Sequence, residues 1–88
     1  MRPLIKRADR FTETAIDDEI VIMRLDNGAF FTLSDTAAAA WRLIDGQRDG
    51  QAIVCALATQ YAVDEAIIAE DVHDLIVKLS RTGVLEQA

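Results

Sequence analysis

The sequence holds few of the residues that covalent cross-links, metal sites and membrane anchors require. Cys55 is the only cysteine, which excludes an intramolecular disulfide. His73 is the only histidine, and zinc sites need roughly three to four ligands at paired Cys or His spacing, so we predict no metal site. No apolar run approaches the roughly 18 residues of a membrane span, and the N-terminus lacks the apolar segment of a signal peptide. We therefore expect a cytoplasmic protein with no membrane partner.

Cations are scarce as well, because nine Lys and Arg accompany 15 Asp and Glu and leave a net charge of −6. Residues 1–10 hold four of the cations and one acid, for +3. Residues 11–88 hold five cations and fourteen acids, for −9. A body of that sign repels nucleic-acid phosphates, which clustered Lys and Arg must neutralise, and attracts basic peptides. We therefore predict no nucleic-acid partner.

The residues of catalytic sites are present singly and without the neighbours they need. Cys55 has no His or other base placed to activate it, and its position inside a predicted helix favours a buried, inert thiol. His73 is predicted to be a surface histidine, and Ser34 a helix cap. The four glycines are scattered and form no phosphate-binding loop. We therefore predict a protein that is not an enzyme and binds no cofactor.

The first third of the chain predicts a small β-sheet. Residues 1–10 form a polar lead-in, and residues 11–88 are predicted to be a single domain. Three segments rich in β-branched and aromatic residues predict strands: Phe11–Ile16, Glu19–Leu25 and Ala29–Leu33. The nearly continuous apolar run of the second segment predicts burial on most of both faces. Asp26–Gly28, before the third segment, is a strong hairpin signal because Asn and Gly tolerate positive φ.

The rest of the chain predicts three helices. Each has a polar cap and apolar residues at helical spacing. The first helix begins at Ser34 or Asp35 and ends at Gly46, and the second begins at Asp49. The third runs from Asp64 to about Arg81 and stops at Gly83. Trp41 is predicted to anchor the first helix in the core. Strands followed by helices indicate an α+β fold.

The third helix has an unusual border. Steps of about 100° per residue put the core stripe on five residues: Ile68, Val72, Leu75, Ile76 and Leu79. Ile67, Asp71 and Lys78 lie together on one flank of that stripe, with Leu75 at its edge. One interpretation is an ordinary boundary with a lysine whose stem covers apolar surface. The other is the edge of a groove that receives a partner.

The returning strand, Ala29–Leu33, is predicted to lie at an edge of the sheet if Glu19–Leu25 is central. A period of two puts Ala29, Phe31 and Leu33 on one face, with Phe30 and Thr32 on the other. The free N–H and C=O groups of an edge strand must be covered or used. An extended peptide could pair with them; the protein's own tail or a second copy, in a homodimer, are the alternatives.

The order and spacing of these motifs resemble the PqqD-like family, whose domain is also called the RiPP recognition element. The matching elements in the first half are Val21–Leu25, Asp26–Gly28, Phe30–Phe31, Leu33, Ser34–Asp35, Trp41 and Asp45–Gly46. Those in the second half are Ile53–Tyr61, Val63–Asp64, Asp71–Val72, Leu75, Leu79 and Gly83–Leu85. The resemblance covers about residues 11–86, nearly the whole chain.

The resemblance implies a winged-helix-like fold with a three-stranded antiparallel sheet and a three-helix bundle. It also implies that the chain binds the leader segment of a ribosomally made precursor peptide by strand addition. That peptide is presented to modifying enzymes such as a leader peptidase, a cyclase or a radical enzyme, in lasso-peptide or PQQ-type maturation. Carried onto this sequence, the peptide-binding residues are Ala29, Phe30, Phe31, Thr32, Leu33, Ile67, Asp71, Leu75 and Lys78.

A winged-helix DNA-binding domain is the alternative, because three helices and a β-hairpin also fit that fold. The charge of the third helix argues against it. Asp64 and the helix that follows it carry five acids against Lys78 and Arg81. Strong, salt-sensitive binding to a duplex would favour this alternative over peptide recognition.

Overall fold

A computed structural model of the chain describes residues 2–87. Its eight elements, in chain order, are β1 (Leu4–Lys6), β2 (Phe11–Ile16), β3 (Glu19–Arg24), β4 (Phe30–Leu33), α1 (Asp35–Leu43), α2 (Gly50–Tyr61), α3 (Glu65–Thr82) and β5 (Leu85–Gln87). The predicted α+β arrangement of a three-stranded antiparallel sheet followed by three helices is confirmed. None of the helices described is long and apolar enough to cross a bilayer.

The main sheet has the order β2-β3-β4, so β3 is central, as predicted. The helices cover one face of this sheet. Ile20 and Ile22 of β3 point to that face and are buried, whereas Met23 is 41% exposed. The prediction that β3 is buried on both faces is therefore wrong. Its apolar run continues across an outer face that no helix covers.

A second, two-stranded sheet pairs β1 with β5, which the sequence analysis did not predict. Leu4 and Leu85 are both buried, so part of the polar lead-in contributes to the core. Arg7 extends the connection, since its guanidinium lies 2.9 Å from a carboxylate oxygen of Glu86. The division of the chain at residue 10 remains a prediction, but β1 and β5 lie side by side.

All three helices begin after the predicted N-cap residues, and two of the three N-caps make a side-chain hydrogen bond. The carboxylate of Asp49 accepts the backbone N–H of Ala52, at 2.8 Å, and that of Asp64 accepts the N–H of Ala66, at 2.9 Å. Ser34 occupies the N-cap of α1 with extended backbone, yet its side chain makes no capping hydrogen bond. Gly83 ends α3 with a φ of 83°, in the left-handed region that glycine adopts without strain.

Cys55 was expected to be buried and is instead exposed on α2. Its thiol donates a hydrogen bond to a carboxylate oxygen of Glu65, with Sγ and Oε1 2.9 Å apart. This hydrogen bond to a carboxylate raises the pKa of the Cys55 thiol, because the negative charge disfavours the thiolate. The exposed position of the thiol results from α2 presenting its apolar side, with Ile53 and Leu57, to the core.

We expect Glu65→Ala to raise the rate at which iodoacetamide alkylates Cys55. The substitution removes the carboxylate that raises the thiol pKa, so a larger fraction of the thiol is ionised at a given pH, and the thiolate is the nucleophile. Rates measured from pH 7 to pH 9 should show the whole profile displaced to lower pH. Glu70→Ala, on the same helix, is the control and should leave the profile in place.

Candidate functional site

β4 is an edge strand of the main sheet, as predicted for the returning strand. It begins at Phe30, one residue later than expected. Ala29 belongs to the turn, where both of its backbone groups are already used. Its C=O accepts the N–H of Arg24 at 2.8 Å, and its N–H donates to the side-chain oxygen of Asn27 at 3.0 Å.

The hydrogen bond between Arg24 and Ala29 sets the direction of every backbone group in β4. Residues of an antiparallel pair alternate between those that exchange hydrogen bonds with the partner strand and those that do not. The register pairs Met23 with Phe30 and Val21 with Thr32. Phe30 and Thr32 therefore point their N–H and C=O groups away from β3, toward the open edge.

The side chains of β4 divide between the two faces as the period of two predicts. Leu33 is buried and Phe31 is partly buried against the core. Phe30 lies on the outer face and is 71% exposed, and it is paired across the ladder with the exposed side chain of Met23. The two phenylalanines of this strand thus have different surroundings, one under the sheet and one in solvent.

A groove of about 530 Å³ lies between β4, the start of α1 and one side of α3, and we call it the β4–α3 groove. Its lining residues are Thr32, Leu33, Ser34, Asp35, Thr36, Ala37, Asp71, Asp74, Leu75 and Lys78. The structure therefore brings together residues of the returning strand and of the third-helix flank that the sequence placed only by period and angle.

Four of the predicted site residues lie outside this lining: Ala29, Phe30, Phe31 and Ile67. Phe31 is nonetheless next to the groove, because the ammonium of Lys78 sits 5.1 Å from the centre of its ring, in a cation–π contact. Ile67 is 61% exposed one turn before Asp71, on the same side of α3. It extends the apolar border of the helix beyond the groove.

The first turn of α1 supplies a wall of the groove that was not predicted from the sequence. Asp35, Thr36 and Ala37 line it together with Ser34, which had been interpreted only as a cap. Asp35 has a φ of 50°, in the left-handed region that Asp tolerates better than most residues. Asp74, which was not among the predicted site residues, also lines the groove. An i, i+3 spacing from Asp71 was the signal that could have found it.

The charges of the β4–α3 groove are predominantly negative. Asp35, Asp71 and Asp74 supply three carboxylates, and Lys78 is the one basic lining residue. All four of these side chains belong to exposed residues, so solvent and salt screen them. Since Lys78 also contacts Phe31, the site offers an apolar edge, a carboxylate-rich wall and the open backbone groups of β4.

Comparisons with known proteins identify the family of this chain. A family model described as "Coenzyme PQQ synthesis protein D (PqqD)" matches residues 19–85. The chain belongs to the PqqD family, as the resemblance of its motifs had indicated. The matched region begins at β3 and ends at β5, and it includes β4, α1 and α3. A search of the curated proteins finds no relative of this chain.

Three solved structures are similar to this one. TbiB1, in complex with the TbiA(beta) leader peptide, is 29% identical with a TM-score of 0.81, and the match covers 93% of this chain and 95% of TbiB1. The PqqD truncation of Methylobacterium extorquens PqqCD, described as a stand-alone RiPP recognition element, is 28% identical with a TM-score of 0.67, over 89% and 81% of the two chains. A lasso peptide synthetase B1, complexed with a leader peptide, is 24% identical with a TM-score of 0.78, over 94% and 96%, and shows the shared fold.

Proposed function

We propose that this chain recognises the leader segment of a ribosomally synthesised precursor peptide and presents it to modifying enzymes, without catalysing a reaction itself. The observation that carries the proposal is the open edge of β4 beside the β4–α3 groove. Membership of the PqqD family and similarity to TbiB1, which is solved with a leader peptide, support it.

Strand addition gives the complex its backbone contacts. Phe30 and Thr32 would exchange hydrogen bonds with an extended peptide lying along β4, since their N–H and C=O groups face the edge. Side chains of the added strand alternate between the two faces of the sheet. One set would enter the β4–α3 groove beside Leu33, and the other would lie on the outer face next to Phe30.

The groove supplies selectivity for side chains. Leu75 and Ile67 would contact apolar leader residues such as Leu or Pro, with Phe31 closing the groove from the sheet side. Asp71, with Asp35 and Asp74, would steer and orient a basic leader residue. We propose as the complete site the nine residues predicted from the sequence, extended by two carboxylates: Ala29, Phe30, Phe31, Thr32, Leu33, Ile67, Asp71, Leu75, Lys78, Asp35 and Asp74.

Presentation to an enzyme follows from holding the leader at one end. The core segment of the same peptide is then tethered near the active site of a partner enzyme, which raises its effective concentration there. A leader peptidase and a cyclase of a lasso-peptide system, or a radical enzyme of PQQ-type maturation, are the partners we propose. A homodimer formed by two β4 edges would use the same backbone groups, so it would compete with the peptide.

The comparisons give no support to a winged-helix DNA-binding domain, and the charge of α3 opposes that alternative. A direct test is fluorescence anisotropy with three labelled probes: the TbiA(beta) leader peptide, the N-terminal segments of short peptides encoded by neighbouring genes, and a mixed-sequence DNA duplex. We expect saturable binding at micromolar concentration to at least one peptide and none to the duplex. Salt-sensitive binding to the duplex, with every peptide inactive, would overturn the proposal.

Charge reversal at Asp71 should weaken binding of a basic leader peptide while leaving the fold intact. Because Asp71 is exposed, its attraction to a basic leader residue is worth at most about 1 kcal/mol. The Asp71→Lys variant loses this attraction and repels the same residue, so we expect Kd to rise by about tenfold. The effect should shrink as salt rises, since solvent screens both terms. Anisotropy titrations from low to high salt measure it.

Glu70→Lys is the matched control for this charge reversal. It makes the same charge change at the preceding residue of α3, which is exposed and does not line the β4–α3 groove. A loss of affinity that is equal in the two variants would mean that the net charge of the protein attracts the peptide, and that Asp71 has no special place in the site. The affinity for a leader peptide whose basic residues are replaced by alanine should be the same with and without either substitution.

A further inference from the structure

A second groove lies between α2 and α3, on the opposite side of α3 from the β4–α3 groove. We call it the α2–α3 groove; its volume is about 550 Å³. Its lining residues are Gly50, Gln51, Val54, Ala69, Val72, His73, Ile76, Val77, Ser80, Arg81 and Gln87. It shares no lining residue with the β4–α3 groove.

The floor of the α2–α3 groove is apolar. Val54 and Val72 are buried beneath it, and Ile76 and Val77 are only partly covered by the rest of the protein. The walls are mostly side chains of the packed helices α2 and α3, with Gln87 of β5 completing the lining. A groove of this kind suits a third helix that lays an apolar stripe between the other two.

The charge of the α2–α3 groove contrasts with the rest of the molecule. The chain has a net charge of −6, yet the lining contains no carboxylate and includes Arg81 and His73. Among residues 2–87, Arg81 forms no ion pair. Five acids are adjacent in sequence to the lining, and none of them lines this groove: Asp49 caps α2, Glu86 pairs with Arg7, Asp71 and Asp74 line the β4–α3 groove, and Glu70 lines neither groove. Asp74 also shares a small pocket with Arg81 and His73, where Lys78 accompanies it. The groove thus favours an anionic partner.

We infer that the α2–α3 groove docks an amphipathic helix of a partner protein, with its apolar stripe on Val54, Ile76 and Val77 and a carboxylate beside Arg81. The charge of the groove selects this occupant over a second copy of the same acidic chain and over the basic leader peptide that the β4–α3 groove favours. The inference goes beyond leader recognition. It gives the protein one surface for the peptide and a separate surface for an enzyme that acts on it.

Two synthetic helices of about 18 residues test the inference, a length at which an isolated helix is stable enough to compete for a groove. Both carry the same leucine stripe, flanked by Glu in one peptide and by Lys in the other. In NMR titrations of the ¹⁵N-labelled protein, we expect the Glu peptide to shift the amide signals of His73, Ile76, Val77 and Arg81. We expect it to bind at least about tenfold more tightly than the Lys peptide.

Matched variants identify the surface. Arg81→Glu should weaken the Glu peptide by about fivefold or more, whereas Arg42→Glu, the same change at an exposed residue of α1, should not. Both variants should bind the leader peptide as tightly as the parent protein does. If the α2–α3 groove binds no helix, the proposal of leader recognition is therefore unaffected. The inference is overturned if the two helices bind equally, if the shifted signals are those of Thr32 and Asp71, or if sedimentation shows a dimer that Arg81→Glu dissociates.

Discussion

Replacing Thr32 with proline should weaken leader-peptide binding by about 30-fold and leave the protein folded. The substitution removes one N–H that faces the open edge of β4, which costs about 1 kcal/mol, and leaves the peptide's carbonyl unsatisfied for about as much again. The proline ring also occupies the path of the added strand. Fluorescence anisotropy with the TbiA(beta) leader peptide, or with a cognate leader once identified, measures the change.

The register explains why this proline is tolerated by the fold. The N–H of Thr32 points away from β3, so its removal breaks no hydrogen bond of the main sheet. Proline is found on edge strands for this reason. The residue before it, Phe31, is already extended, as the residue preceding a proline prefers to be. Circular dichroism should therefore show a melting temperature close to that of the parent protein.

Ala15→Pro is the matched control on the opposite edge of the same sheet. Ala15 pairs with Ile20, and the alternation of the ladder turns its N–H away from β3, as it does for Thr32. The two variants therefore place the same ring at equivalent positions of the two edges. If Ala15→Pro lowered affinity as much as Thr32→Pro, or if neither did, strand addition at β4 would be excluded.

The parts of this structure that the sequence predicted are those determined within short segments. The turn at Asp26–Gly28 and the alternation of Phe30 and Phe31 depend on neighbouring residues alone. The flank of α3 with Ile67 and Asp71 follows from helical geometry. Each of these features is determined by nearby residues and does not depend on the position of distant segments.

The parts that the sequence did not predict depend on contacts between distant segments. The pairing of β1 with β5 joins the two ends of the chain's described part, where Ile5 pairs with Glu86. Just beyond β1, the side chain of Arg7 contacts that of Glu86, 79 positions away. Neither strand is long enough to have a clear pattern of its own. The acidic wall of the β4–α3 groove arises where the start of α1 meets Asp74 of α3. Helical geometry alone does not show which element of the fold faces Asp74.

The shape of the β4–α3 groove depends on Trp41, a core side chain of α1 that contacts residues of β1 and β2. Trp41 is fully buried, at 0% exposure, and its ring meets that of Phe11 edge-on with 5.4 Å between centres. Its indole N–H donates to Glu13 at 2.9 Å, and the ammonium of Lys6 lies 4.3 Å from its ring centre. Burial of the Lys6 ammonium lowers its pKa, because removal from water disfavours the charged form. Trp41 thus joins α1, whose first turn lines the groove, to β1 and β2.

We expect Trp41→Ala to cost about 3–5 kcal/mol of the free energy of unfolding, because it leaves a large cavity and removes the partner of Glu13. The free energy of unfolding of a small domain is about 5–15 kcal/mol in total. Each 1 kcal/mol lost lowers the melting temperature by about 4–8 °C. The melting temperature should therefore fall by at least about 12 °C when followed by circular dichroism. Leader binding should weaken with it, since α1 no longer holds Asp35 and Ala37 against α3.

Trp41→Phe separates the packing of Trp41 from its hydrogen bond. This variant keeps an aromatic ring against Phe11 but has no N–H for Glu13, so the expected loss is smaller, about 1–2 kcal/mol. The double variant Trp41→Phe, Glu13→Ala should lose little more than the single one, because the hydrogen bond is already absent. A fall of less than about 5 °C for Trp41→Ala, which corresponds to about 1 kcal/mol, would contradict the view that this side chain connects α1 to the strands and keeps the β4–α3 groove in shape.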